Sequence, residues 1–293
     1  MRTAPPTSRP SSLIIRGRPI DLKSTHLMGI LNVTPDSFSD GRDFLDPQKA
    51  VSRLHQLLEE GAMFVDVGGE SSRPGARPVS TEEELRRIEP VLSAWSRDPR
   101  GILSVDTCKA LVAETALRYG VSLINDITAL RGDPRMAEVI AASGAGVILM
   151  HMQGTPQTMQ ENPHYQDLIG EILAYFEAAM DRAVRAGIRE ESILLDPGIG
   201  FGKTVEHNLE ILRNLSRFRA LGRPLVLGTS RKSFIGKILN QPVDGSTPLR
   251  IEERLWGTAA TVAFAVLQGV EILRVHDVAP MRQVVQMTEA ILY

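Results

Sequence analysis

The chain has 293 residues, of which 43% are apolar and 23% charged, with a formal net charge of −2. A chain of this length buries a large core without disulfides or a structural metal, and its near-neutral balance offers no global field for nucleic acid or an anionic membrane. Its single cysteine, Cys108, excludes an intrachain disulfide and fits a cytoplasmic protein; no run reaches the roughly 18 apolar residues of a membrane span.

Residues 1–12, rich in Pro, Ser and Arg, lack the apolar stretch of a signal peptide and read as a disordered tail. Leu13–Ile20, centred on Gly17, reads as a small hairpin. From there short β-rich runs alternate with helix-period segments. The first strand is His26–Asn32; a helix over 46–60 follows, with Val51, Leu54, Leu57 and Leu58 on one face and Gly61 ending it. The second strand is Met63–Gly68, and the pattern Ser80 with Glu83 predicts a capping box at the next helix. Ile102–Asp106, Ser122–Asp126 and Gly146–Met150 are the next three strands, separated by helices ending near Gly120 and spanning 135–142. A long helix over 166–186 leads to strand Ser192–Asp196, and a helix over 207–220 to strand Pro224–Leu227. A helix over 251–268, strand Glu271–Val275 and a last helix over 278–292 complete the chain.

Eight β-then-α units with no compositional break over residues 13–293 point to one α/β domain, a (β/α)8 TIM barrel whose N-terminal hairpin closes the bottom. An open doubly wound sheet is the alternative that pattern alone leaves.

A barrel places its chemistry at the C-terminal strand ends. Here Asn32, Asp106, Asn125, Asp126 and Asp196 close strands, Ser230, Arg231 and Lys232 follow the seventh, and Arg274 and His276 bracket the end of the eighth. Singly, each Asp or Asn reads as readily as a helix N-cap. Together they converge on one mouth. Asp106, Asn125 and Asp196 suit a planar heterocycle with alternating donors and acceptors, such as a 2-amino-4-oxo pyrimidine edge. The rival use of two aspartates, a metal centre, lacks a histidine cluster. Arg231, Lys232, Arg274 and His276 are candidate cations for a phosphate or carboxylate, and Arg274, inside an apolar strand, needs a partner.

The loops NVTPDSFSDGRDF and GGESSRPGARPVS exceed ordinary βα length and sit where lids are found, with Phe38, Arg73 and Pro74 at their tips. DPGIGFGKT misses P-loop spacing; its glycines let backbone approach a flat ligand, and Lys203 is a weak candidate anion contact. His151 reads as packed more readily than catalytic, Met150 as pocket lining and Cys108 as a small residue at a helix start.

In order, GILNVTPDSFSDG, DVGGESSRPG, SVDT, INDI, LMHMQGTPQTM, LDPGIGFGKT, GTSRKSFIG and RVHDV resemble the signatures of the dihydropteroate synthases, among the pterin-binding enzymes, over nearly the whole chain. The resemblance implies condensation of 6-hydroxymethyl-7,8-dihydropterin pyrophosphate with 4-aminobenzoate in folate biosynthesis. It implies a pterin held by Asp106, Asn125, Asp196 and Lys232, with Met150 and Phe201 lining the pocket. Asn32, Arg274 and His276 match the pyrophosphate set, Asn32 through Mg2+. Phe38, Ser72, Arg73, Pro74 and Ser233 match the aminobenzoate pocket, where sulfonamides compete; Ser72 replaces the family's usual Thr. Lys232, Asp36 and Asp106 are expected to act in catalysis, and the apolar helix TAATVAFAVL packs either on a second copy, as in the family's dimers, or on the barrel.

The implied mechanism is dissociative: pyrophosphate leaves, and the neutral arylamine attacks a pterin cation. Direct displacement is the alternative. Two rivals share the pterin residues. A corrinoid methyltransferase would have no need of NVTPDSFSD or SRKS, and a non-catalytic paralogue would have eroded loops and lost anion ligands.

Overall fold

The computed structural model of this chain describes residues 13–34, 47–239 and 249–292. Leu13–Ile15 (β1) and Arg18–Ile20 (β2) pair antiparallel around a turn in which Arg16 and Gly17 both take positive φ, 50° and 73°. The repeating units follow: His26–Asn32 (β3), Pro47–Glu59 (α1), Phe64–Gly68 (β4), Thr81–Arg97 (α2), Ile102–Asp106 (β5), Ala110–Arg118 (α3), Leu123–Asp126 (β6), Met136–Ser143 (α4), Gly146–Met150 (β7), Leu168–Arg185 (α5), Ile193–Asp196 (β8). Val205–Arg213 (α6) and Leu215–Arg219 (α7) precede Val226–Leu227 (β9); Ser233–Leu239 (α8) and Leu255–Leu267 (α9) precede Ile272–Val275 (β10); Val278–Leu292 (α10) ends the chain.

β3 to β10 form one eight-stranded parallel sheet in the order β8-β7-β6-β5-β4-β3-β10-β9. A parallel bridge between Leu195 and Leu225, with Leu195 N–H donating to Pro224 O at 3.0 Å, joins β8 to β9 and closes the ring. The barrel, and not the open sheet, is therefore the architecture. No helix among the described residues is long and apolar enough to cross a membrane.

Strand alternation sorts the side chains into two shells. Leu27, Leu31, Val65, Val67, Leu103, Val105, Ile124, Val147, Leu149, Leu195, Leu273 and Val275 face outward into the main core beneath the helices. Their neighbours turn inward. Low in the barrel these are apolar: Met28, Phe64, Leu123, Ile148, Leu194, Val226 and Ile272 pack against Leu13, Ile15 and Leu22. The hairpin is thus a plug, and its apolar strand β1 supplies the barrel floor. One layer higher, the inward positions become Asp66, Ser104, Asn125 and Arg274.

Several local expectations meet corrections. Ser80 does cap α2, its side chain accepting from Glu83 N–H at 3.2 Å, but the return half of the box is missing because Arg86 and Arg87 take the Glu83 carboxylate. A capping box does form at Thr204, where His207 supplies the return contact, so α6 starts earlier than expected and breaks at Asn214. The seventh strand shrinks to Val226–Leu227, since Pro224 has no N–H to give the ladder. Helix α8 was not expected, and the helix expected from 251 opens as a 3-10 turn, with α9 proper beginning at Leu255.

Leu13 is fully buried in the floor cluster. Leu13→Ala is expected to lower unfolding stability by roughly 2–5 kcal/mol while leaving ligand affinity at the far end of the barrel unchanged, as read by urea unfolding and calorimetry.

Candidate active site

The polar layer is built around Arg274. Its guanidinium crosses the barrel from β10, donating through Nε to Asp66 Oδ2 on β4 (2.7 Å) and through Nη2 to Asp106 Oδ2 on β5 (3.1 Å). Asn125 of β6 donates through Nδ2 to the same Asp66 oxygen at 3.0 Å. Four strands are thereby tied through two carboxylates, one amide and one cation. The partner that Arg274 required is Asp66, which sequence reasoning missed. The signal was available: Asp66 lies inside an apolar strand just as Arg274 does, and period-two alternation turns both inward.

Not every polar atom of this layer is satisfied. Asp66 Oδ1, Ser104 Oγ and Asn125 Oδ1 are buried without a hydrogen-bond partner among the described residues. Such atoms are costly unless a ligand or water meets them, and they lie beneath the open strand ends.

Asp106 is recessed beside this cluster. Burial, and then the charge of Asp66, push its carboxyl up to about 7, with Arg274 opposing. Asp196, buried at the end of β8, accepts from Gly198 N–H at 2.7 Å, and burial raises its pKa too. Gly198 is required there: its φ is +67°, and a Cβ would stand 2.0 Å from His151 O. Lys232 reaches back over the mouth, its ammonium 4.1 Å from the Phe201 ring centroid. Burial lowers its pKa to about 8, partly offset by Asp196. Gly200 leaves room for this side chain, since a Cβ at that position would meet Lys232 Cδ at 3.3 Å. Phe201 packs with Met150, Met152, Met159 and Ile127 in a small apolar wall. The structure therefore brings Asp106, Asn125, Asp196, Lys232, Arg274, Met150 and Phe201 to one end of the barrel.

Around them stand those of the remaining expected residues that the structure describes. Asn32 ends β3, paired in register with Gly68, which in turn pairs with Asp106. His276 follows β10 and meets Ser230 Oγ through Nδ1 at 3.0 Å. Burial, with Arg274 and Arg231 nearby, holds its pKa down at about 3. His276 is thus a neutral hydrogen-bonding group and not the cation expected. Ser72 is half-buried in the loop after β4, Arg73 and Pro74 are exposed there, and Ser233 is exposed at the start of α8. Asp36 and Phe38 lie outside the described residues.

Three further expectations change. Arg231 is no free anion ligand: Asp277 holds its guanidinium at 2.9 and 2.5 Å, and its backbone sits at φ +57°. Lys203 is buried and donates to Phe201 O at 2.9 Å, beside His151 Nδ1 at the same distance, so it braces the loop after β8 instead of meeting an anion. Asp126 faces outward and accepts from the N–H groups of Thr128 and Leu130, both at 2.8 Å, making it a turn residue. His151 is packed, as expected, edge-on to Tyr175 with centroids 4.7 Å apart, and burial lowers its pKa. Cys108, two residues before α3, has its thiol pushed up to about 12 by burial and remains an inert thiol.

Comparison with known proteins agrees with this geometry. The pterin-binding enzyme family profile matches residues 28–276. A dihydropteroate synthase of Synechocystis sp. is 46% identical over 269 residues, 92% of this chain and 91% of that protein. The crystal structure of the Yersinia pestis dihydropteroate synthase with a sulfonamide drug complex superposes with a TM-score of 0.88 at 43% identity, covering 96% of this chain and 99% of that one. That of the Clostridium difficile dihydropteroate synthase, in the presence of pteroic acid, gives 0.84 at 44% identity over 92% and 97%.

The raised pKa of Asp106 has a consequence for the free protein. A carboxyl whose folded-state pKa stands at about 7 contributes stability that is fully present below about pH 4 and is lost as pH rises through 7. Asp106→Asn is therefore expected to match the parent's melting temperature near pH 4 and exceed it near pH 8. A difference that stays constant across a pH series of thermal melts would show that burial does not raise the pKa of this carboxyl.

Proposed function

Because this chain belongs to the pterin-binding enzymes and, within them, to the dihydropteroate synthases, we propose that its barrel mouth carries out their condensation with the following division of labour. The substrates are 6-hydroxymethyl-7,8-dihydropterin pyrophosphate and 4-aminobenzoate; the products are 7,8-dihydropteroate and pyrophosphate. The observation that supports this most directly is the buried layer of Asp66, Asp106, Asn125 and Arg274, in which Asp66 Oδ1 and Asn125 Oδ1 are buried without a hydrogen-bond partner among the described residues. A dihydropterin edge carries N–H donors and a carbonyl that would meet them. Pteroic acid, which the Clostridium difficile structure was determined with, contains both halves of the proposed product.

Asp106, Asn125 and Asp196 take the ring's polar edge, and Met150, Phe201 and the Lys232 stem take its faces. Loss of pyrophosphate from the exocyclic methylene leaves a cation delocalised into the ring. The buried carboxylates of Asp66, Asp106 and Asp196 are placed to stabilise that developing charge. Arg274 has five N–H donors, of which the two aspartates use only part, so the remainder can meet the leaving diphosphate together with neutral His276. The amine of 4-aminobenzoate then attacks as a neutral nucleophile and gives up its proton afterwards; no strong general base is needed. Ser72, Arg73, Pro74 and Ser233 line the acceptor side, where sulfonamides would compete; Phe38 joins this set in function and Asp36 the catalytic one.

Mg2+ is part of the proposal, and the residues fit it in a limited way. No group of three His, Cys, Asp or Glu side chains able to hold a metal occurs among the described residues. Mg2+ does not require one, because it keeps waters and takes substrate phosphate oxygens alongside one or two protein oxygens. Asn32 offers such an oxygen, and Gly68 beside it carries no side chain to crowd it: a Cβ there would be in van der Waals contact with Asn32 Oδ1 at 3.9 Å and Asp106 Cβ at 3.5 Å. When bound with the diphosphate, the ion would neutralise the leaving group's charge.

A cytoplasmic homodimer is the proposed form of the enzyme. Helix α9 is apolar on nearly all sides, which needs cover on both faces. Its Trp256, Phe264 and Leu267, with Met287 and Ile291 of α10, are exposed, Trp256 by 79% and Ile291 by 70%. A second copy would cover them. Trp256→Glu with Phe264→Glu is expected to halve the mass seen by sedimentation equilibrium; a parent that already sediments as a monomer would exclude the dimer.

The reaction is tested by pyrophosphate release with and without 4-aminobenzoate, with the pteroate product followed by absorbance. Release coupled to pteroate formation is expected for the parent. Lys232→Ala should lower kcat/KM by about 10²-fold or more, since the ring contact and a local charge go together. Near-parental activity would refute the role given to Lys232, and absence of pteroate in the parent would refute the function.

A further inference from the structure

The loop after β4 carries Ser72, Arg73 and Pro74, yet its root is held by groups that have no part in the chemistry above. Lys109, the residue ahead of α3, places its ammonium between two carboxylates. One is Glu70, in the loop; the other is Glu84, in the first turn of α2, at 2.5 Å. Arg87, on the same helix, donates through Nη1 to Gly69 O at 2.8 Å. A Cβ at Gly69 would meet Glu84 O and Ile88 Cγ2, each at 2.9 Å, so the chain leaves β4 pressed against α2. At its far end the loop is fastened again: Gly75 N–H donates to Pro156 O at 3.1 Å, and Gln157 Nε2 donates to Ala76 O at 3.2 Å. Ser72 to Pro74 run between these two fastenings.

The two carboxylates are not equivalent. Glu84 is 1% exposed and anchored in a helix, so it cannot move away. Glu70 is more exposed and sits in a loop, so it can. The cation therefore transmits a fixed position on α2 to a movable one in the loop. Without it, two like charges would be left facing each other, and the loop root would be the part to yield.

We propose that Lys109 is a positioning residue for the acceptor substrate: by bridging Glu70 to Glu84 it sets the place of Ser72 and Arg73, and so the affinity for 4-aminobenzoate, without affecting the pterin. This rests on the assignment of Ser72 to Pro74 to the aminobenzoate side.

The decisive variant is Glu70→Gln, which loosens the loop while keeping the pair of Lys109 with buried Glu84 and hence the fold. Lys109→Met and Lys109→Arg accompany it. In Glu70→Gln and Lys109→Met the KM for 4-aminobenzoate is expected to rise about tenfold or more while that for the pterin pyrophosphate stays within about twofold, and Lys109→Arg should restore most of the loss. Amide hydrogen exchange over residues 69–76 of the free protein should quicken in Glu70→Gln. Unchanged exchange would overturn the bridge as a fastening, and an equal rise in both KM values would overturn its selectivity. Faster exchange with both KM values unchanged would also overturn the proposal, and would place the fault in the assignment of Ser72 to Pro74 and not in the fastening.

Discussion

One ion-pair network inside the barrel governs the rest of the site. Arg274 is the cation in a layer that otherwise contributes Asp66, Asp106 and Asn125, and it sits above a floor made wholly of apolar side chains. Buried charges persist only when paired, and breaking such a pair from one side commonly costs about 3–5 kcal/mol. Here the pairing is incomplete by construction. Two carboxylates share one guanidinium, burial raises Asp106 to about 7, and acceptor atoms at Asp66, Ser104 and Asn125 are left over. A fold that needed only stability would fill this layer with Leu or Val, as the layer below is filled. The excess of acceptors is intelligible if an electron-poor, N–H-rich ring completes it.

The same electrostatics divides the mouth into regions. Its acids share a layer with Arg274, and Lys232 stands apart from them, over Phe201. Lys232 has its pKa lowered to about 8 by burial, Arg274 bridges Asp66 and Asp106, and burial, with Arg274 and Arg231 adding to it, holds the pKa of His276 down. A ring whose charge becomes positive during reaction belongs over the acids, and a departing diphosphate belongs toward Arg274. The direction of charge separation in the proposed reaction therefore follows the direction already built into the site.

Loops then set what this charged mouth can receive. Those described are braced by groups that look catalytic in isolation: Lys203 and His151 lock the segment after β8 to the segment after β7, Arg231 is committed to Asp277, and Lys109 ties the loop after β4 to α2. Residue type alone is a poor guide to role here. A lysine deep in a Gly-rich loop resembles an anion ligand until its ammonium is seen donating to backbone carbonyl oxygen.

Much of this was legible in the chain because the signals are local. Period-two and period-3.6 patterning with glycine punctuation yielded eight β-then-α units, and the strand-end residues Asp106, Asn125, Asp196 and Arg274 announced themselves as polar groups at the ends of apolar runs. Local chemistry also located the hairpin and the cap at Ser80. What only tertiary structure decided involves partners far apart in sequence. Closure of the ring through Leu195 and Leu225, the choice of Asp66 as partner to Arg274 across 208 positions, and the neutrality of His276 depend on packing and burial, which have no local signature. The short periods of strand and helix are written in neighbouring residues; the pairing of charges and the dielectric around them exist only once the barrel has closed.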